Sequence, residues 1–283
     1  MTYIYVLNEN VMELTIRLSS GEILRGFSLT PDEPRAFVIL VHGLGEHIQR
    51  YKSWGERFVR NGIGFEGVDL PGHGCSDGKK GHIKSYRLTD EMIDKLIEEF
   101  KKSNFGIPLF LYGHSLGGGL VLDYLIRKNP DLNGGIVTSP WLRLSFEPDE
   151  SKIKLAGVMK SILPGLVQKS GLVVEHISRD NSVVKAYKSD PLVHGKISVS
   201  LFHNAMSAAS YALQNASKLR IPVLLMHGSD DQICSPGGTR EFASDAKTTE
   251  FMIWNGGYHE LHNEPFKEEV FKHILDWINK KLG

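Results

Sequence analysis

Gly113-His114-Ser115-Leu116-Gly117 follows the apolar run Leu109–Tyr112 and leads through Gly118-Gly119 into a second apolar stretch beginning at Leu120. This G-x-S-x-G pattern is that of a nucleophile elbow. On a sharp strand-to-helix turn the serine takes a strained backbone conformation, and its hydroxyl projects above the sheet. Side chains at the flanking glycines would collide with the neighbouring strand and helix. Outside such a setting the same pattern is only a glycine-rich turn at a helix start. A serine hydroxyl needs a base, and after such elbows the chain order is serine, acid, histidine. Of the twelve histidines, His259, His262 and His273 lie late enough. His273 falls inside an amphipathic segment (Phe266, Val270, Phe271, Ile274, Leu275, Ile278) and reads as a surface or packing residue. His259 ends Asn255-Gly256-Gly257-Tyr258-His259, directly after the apolar run Phe251–Trp254, and is the preferred base. His262 is its pocket neighbour.

The acid is expected after the run Val223–Met226, where the chain reads His227-Gly228-Ser229-Asp230-Asp231. Spacing does not choose between the two aspartates, and the other one would serve the turn. An oxyanion hole is expected where Phe37–Val41 ends in His42-Gly43-Leu44-Gly45-Glu46-His47. Glycines on both sides of Leu44 free its N–H to face a developing charge, and the N–H of Leu116 is the second donor. Rival readings fail on spacing. His42 to Glu46-His47 is one residue too long for an inverted zinc-binding motif. His259-Glu260-Leu261-His262 sets its histidines three apart rather than four. Gly43-Leu44-Gly45 lacks the third glycine of a dinucleotide fingerprint. The chemistry requires no metal, nucleotide or other cofactor.

These residues need a scaffold. Leu14, Ile16 and Leu18 alternate with polar residues, and Ser20-Gly21 turns the chain toward a strand near Ile23–Leu29, so an antiparallel hairpin opens the fold. Short apolar runs at Phe37–Val41, Ile63–Leu70, Leu109–Tyr112, Ile136–Thr138, Val223–Met226 and Phe251–Trp254 suit parallel strands buried on both faces. Helical stripes lie between several of them, as at Leu88, Met92, Ile93, Leu96, Ile97 and Phe100. The alternation predicts an α/β fold with a mostly parallel sheet. Between Pro140 and Pro222 helical patterns occur without a convincing strand, so residues 141–202 are expected to form a helical insertion after the sixth strand. Residues 1–140 and 203–283 then form the core.

Composition narrows the function. The 283 residues carry 33 basic and 33 acidic side chains, and this zero net charge argues against a nucleic-acid partner. Two cysteines, Cys75 and Cys234, exclude a disulfide scaffold and suit a reducing compartment. No apolar run reaches the ~18 residues of a membrane span, and the first basic residue, Arg17, comes too late for a signal peptide. The expected location is cytoplasmic.

The chain resembles the monoacylglycerol lipases and lysophospholipase-like serine hydrolases of the α/β-hydrolase fold. The likeness rests on HGLGEHIQRY (42–51), DLPGHGCSDG (69–78), GHSLGGG (113–119), YKSDPL (187–192), HGSDDQIC (227–234) and GGYHELH (256–262). It implies a triad of Ser115, Asp231 and His259, because the family's acid is the fourth residue of its G-S-x-D segment. It also implies that Glu46, Arg50 and His262 surround a glycerol headgroup, that Tyr187 lies near the pocket, and that the insertion is the family's cap. The expected activity is hydrolysis of a single-chain lipid ester, monoacylglycerol before the alternatives of a lysophospholipid or a short-chain carboxylic ester. An intact elbow argues against a non-catalytic binding module. Cys234, three residues after the acid, is expected beside the pocket wall or as an inert core thiol. In the insertion, Leu155, Val158, Met159, Ile162 and Leu163 form one stripe over 151–163. Two readings of it stand: a lining packed over the pocket, or a face that docks reversibly on bilayers.

Overall fold

The computed structural model describes residues 6–8, 11–104, 106–146 and 162–283. Its strands are β1 (Val6–Asn8), β2 (Val11–Arg17), β3 (Ile23–Leu29), β4 (Ala36–Val41), β5 (Ile63–Val68), β6 (Leu109–His114), β7 (Gly134–Thr138), β8 (Val167–Lys169), β9 (Lys196–Ser198), β10 (Val223–Gly228) and β11 (Thr249–Trp254). Its α-helices are α1 (Lys52–Arg60), α2 (Tyr86–Ser103), α3 (Leu116–Lys128), α4 (Asn181–Ser189), α5 (Val199–Gln214), α6 (Pro236–Asp245) and α7 (Lys267–Leu282).

Nine of these strands form one sheet in the order β1-β2-β3-β5-β4-β6-β7-β10-β11. The hairpin β2–β3 is antiparallel, with Leu14 opposite Gly26, and β3 joins β5 antiparallel. From β5 to β11 every pairing is parallel. Parallel strands bring all their carboxyl ends to one edge, the place where α/β sheets carry ligands. This is the α/β-hydrolase fold.

The period of two along a strand divides the core between the two faces. In β4, Phe37, Ile39 and Val41 join a core with α2, α3, α5 and α6 (Met92, Leu96, Leu120, Leu125, Leu201, Phe242). Ala36, Val38 and Leu40 point the other way, against α1 and α7 (Trp54, Phe58, Ile274, Trp277). All six residues of β4 are therefore buried, which is why the run is apolar without alternation.

Several expectations need correction. Val6–Asn8 adds an edge strand that three residues of sequence did not reveal, so the insertion follows the seventh strand in chain order. The insertion is not purely helical. β8 and β9 pair antiparallel, Gln168 opposite Ile197, and a three-residue strand shows no readable periodicity. The helix that returns to the core starts at Val199, with Ser198 accepting the Leu201 N–H as its cap. The stripe over 151–163 lies outside the described residues apart from Ile162 and Leu163, and both of these are exposed. Among the described residues no helix is long and apolar enough to cross a membrane.

Candidate active site

Ser115 stands between β6 and α3 at φ 55°, ψ −119°, a conformation that L-residues rarely adopt. Its surroundings enforce it. The Ser115 N–H donates to the Thr138 carbonyl (3.0 Å), and its own carbonyl accepts from Gly119 and Trp141 (3.0 and 2.9 Å). The neighbouring glycines are demanded by space rather than by φ. A Cβ on Gly117 would lie 2.0 Å from the Val41 carbonyl oxygen, and one on Gly113 would lie 2.5 Å from the Gly117 oxygen. Gly117→Ala should therefore cost about 3 kcal/mol or more in urea unfolding. Gly195→Ala, whose Cβ meets nothing within 4 Å, should stay within about 0.5 kcal/mol. Equal stabilities for the two variants would contradict the packing described.

The loops after β10 and β11 bring the partners. His259 Nε2 lies 2.9 Å from Ser115 Oγ, and His259 Nδ1 lies 2.7 Å from Asp231 Oδ2. Asp231 Oδ1 accepts the backbone N–H of Ile233 and Cys234 at 2.8 and 3.0 Å. Asp230 is exposed and accepts only the Ser229 hydroxyl (2.6 Å) among the described bonds to its side chain. His273 lies on α7 with its ring 6.0 Å from that of Trp254, away from this group. The two loops are laced together: Asp230 N–H donates to the Gly257 carbonyl, and Gly256 N–H to Ser229 Oγ. Ser139, at φ 46°, donates its hydroxyl to the His259 carbonyl at 2.7 Å. That anchor had no signal in the sequence.

All three side chains are buried, and the charges follow from it. Burial disfavours a charged Asp231, but the two imidazoles beside it outweigh this and hold its carboxyl well below the usual range. Burial likewise opposes a charged His259, but the Asp231 carboxylate prevails and raises its pKa above the ordinary 6.5. Such a chain can take a proton from the serine hydroxyl into an imidazole that the carboxylate orients. Leu116 opens α3, so its N–H is among the first-turn donors without an intrahelical partner. Gly45 (φ 76°) shapes the turn after Leu44, and a Cβ on Gly43 would stand 3.1 Å from Ser115 Cβ. The Leu44 turn thus lies against the serine. Cys234 is buried, and its thiol reaches the Ser115 side chain; burial and the Asp231 charge push its pKa well up.

Glu46, Arg50 and Tyr187 meet in one buried network. Arg50 bonds Glu46 at 2.5 Å and grips Glu260 with two bonds, at 2.8 and 2.7 Å. Its guanidinium lies 4.7 Å over the Tyr187 ring, and Tyr51 donates its hydroxyl to Glu46 at 2.9 Å. Burial raises the Glu46 carboxyl, whereas for Glu260 the Arg50 cation overcomes burial and holds it down at about 2. Glu260 was not singled out from sequence, although it stands beside His259. Arg50→Met would leave two buried carboxylates without their cation and should cost about 3–5 kcal/mol in thermal unfolding. A loss below about 1 kcal/mol would mean that the network is open to water. His262 stacks on Tyr51 at 4.6 Å, and both its ring nitrogens are buried without a hydrogen-bond partner among the described residues.

Residues 32–266 match the serine aminopeptidase S33 family. A monoacylglycerol lipase of Mycolicibacterium smegmatis is 30% identical over 89% of this chain and 91% of its own. An uncharacterized abhydrolase domain-containing protein of Dictyostelium discoideum is 34% identical over 93% of this chain, which spans only 28% of that protein's length. The crystal structure of a Paleococcus ferrophilus monoacylglycerol lipase superposes with a TM-score of 0.83 at 35% identity, covering 90% of this chain and 99% of that one. The chain therefore belongs to the serine aminopeptidase S33 family, in its monoacylglycerol-lipase-like group.

Proposed function

We propose that this protein hydrolyses the carboxylic ester of a single-chain lipid, with monoacylglycerol as the substrate class. The observation that carries this reading is the unbroken hydrogen-bond chain from Ser115 through His259 to Asp231, at 2.9 and 2.7 Å. Ser115 Oγ attacks the ester carbonyl while His259 Nε2 takes its proton. The tetrahedral oxyanion is held by the N–H groups of Leu44 and Leu116, each contributing on the order of 3 kcal/mol. Collapse of the intermediate breaks the ester bond, and His259 returns the proton to the departing glycerol. Water, deprotonated by the same imidazole, then releases the fatty acid and restores Ser115.

A neutral headgroup suits this site. Arg50 is already paired with two buried carboxylates, its terminal nitrogens bonding Glu46 and Glu260, so the site holds no surplus positive charge for a phosphate. His262, whose two nitrogens have no hydrogen-bond partner among the described residues, is the side chain we assign to a glycerol hydroxyl, and Glu46, Arg50 and Tyr187 build the wall behind it. Residues 141–202 act as a cap over the carboxyl edge, on a core of 1–140 and 203–283. The tie from the Glu260 N–H to the Ile177 carbonyl (2.7 Å) supports this by joining the insertion to the histidine loop. Exposed Ile162, Leu163 and Leu166 at the insertion's surface support a reversible peripheral contact with membranes. The free thiols of Cys75 and Cys234 support a cytoplasmic location.

The test is a comparison of initial rates on monoacylglycerols of graded chain length, lysophosphatidylcholine and short nitrophenyl esters. The expected order places a monoacylglycerol at least tenfold above lysophosphatidylcholine in kcat/KM, a difference of about 1.4 kcal/mol. A preference for the phospholipid would refute the assignment of a neutral headgroup.

A further inference from the structure

A second imidazole touches the carboxylate of Asp231. His227, next to last in β10, is fully buried. Its Nε2 lies 2.8 Å from Asp231 Oδ2 and 3.0 Å from the Cys234 carbonyl oxygen. Both neighbours are acceptors, so Nε2 carries the proton. On the other side, Nδ1 is 2.7 Å from Thr239 Oγ1 of α6, and the threonine hydroxyl donates to it. The partners thus fix the ring in one tautomer. Asp231 then accepts four N–H groups: two backbone donors on Oδ1, and the imidazoles of His227 and His259 on Oδ2.

We infer that His227 is a positioning residue, acting through Asp231 to aim Oδ2 at His259 Nδ1 and to share the negative charge that Oδ2 presents there. The inference rests on the hydrolase reading above. The backbone donors hold only one oxygen, and among the described residues only the two imidazoles hydrogen-bond the other. Without the His227 donor, the Oδ2 charge falls undivided on His259 and makes that imidazole more basic. A more basic His259 is protonated at higher pH, so the base form disappears sooner as pH falls. The other titratable groups facing His259 and Asp231 are Ser115 and His114 at the end of β6, Glu46 after β4, Glu260 and His262 on the histidine loop, and Cys234 on the acid loop. Of these, none donates to Oδ2.

The experiment measures kcat, KM and the pH profile of kcat/KM on a soluble nitrophenyl ester for His227→Leu, His227→Gln and Thr239→Val. His227→Leu should lower kcat roughly tenfold or more with KM little changed. Its acid limb should move up by about half a pH unit. His227→Gln, whose amide N–H donates from nearly the same place, should recover both, and Thr239→Val should fall between. A folded His227→Leu enzyme with the parent kcat and acid limb overturns the inference. So does a glutamine variant as impaired as the leucine one, because the donor would then not matter. If His227→Leu does not fold, Thr239→Val decides, and an unmoved acid limb there is the overturning result. Failure of the hydrolase reading itself would appear elsewhere, as turnover that persists when Ser115 is replaced.

Discussion

Replacing Ser115 by alanine should lower kcat on the order of 10⁶-fold and leave the folded protein intact. The serine hydroxyl makes one described hydrogen bond, to His259 Nε2, while the strained backbone is held by main-chain bonds that alanine keeps. Chemistry is therefore lost without packing. A fluorophosphonate should phosphonylate the parent enzyme once, on the Ser115 peptide, and leave the alanine variant unlabelled. Parent-level turnover by Ser115→Ala, or a stoichiometric label on another serine, would end the proposed mechanism. The same parent enzyme should show a kcat/KM profile that falls on the acid side. His259 must be neutral to accept a proton, and its pKa is raised, so activity is lost as pH drops through a value above 6.5.

Asp231→Asn should lower kcat by roughly 10⁴, while Asp230→Asn should change it less than about threefold. The arrangement of donors explains the size. Four N–H groups point at the Asp231 carboxylate, two on each oxygen. An asparagine must set its NH₂ against one pair or the other. Facing Ile233 and Cys234, it opposes two backbone donors that cannot turn away. Facing His227 and His259, it forces an imidazole into the wrong tautomer, with no proton acceptor left for Ser115. What activity survives should extend to lower pH, because the charge that raised the His259 pKa is gone. Asp230 meets none of this, since it is exposed and outside the chain of bonds. Stopped assays across pH on both variants check the prediction, and the reverse ranking would mean that the acid loop is misassigned.

The parts of this protein readable from sequence were those with a short-range physical signature. Strands buried on both faces read as continuous apolar runs, and β4, β6 and β10 stand where such runs occur. By contrast β11 is the edge strand, only half-buried and with Met252 exposed, so its apolar run overstated its burial. The glycines around Ser115 were readable because backbone approaches of 2.0 and 2.5 Å exclude any side chain. Where only three residues formed an element, as in β1, β8 and β9, no period could be seen. Spacing left Asp230 and Asp231 open and only the resemblance favoured Asp231; in space one carboxylate turns inward to 2.7 Å from His259, and the other faces solvent.

Residue types and order alone therefore determined the α/β class and pointed to the elbow and to a succession of serine, acid and histidine. Each of these is carried by neighbours within a few positions along the chain. Tertiary structure alone decided which polar groups meet. Arg50 meets Glu260 across 210 positions, His227 meets Thr239 on the next helix, and Ser139 reaches the His259 carbonyl across 120. Such pairs leave no periodic trace. Burial makes their partners obligatory, since a polar group cut off from water must find its hydrogen bond within the fold.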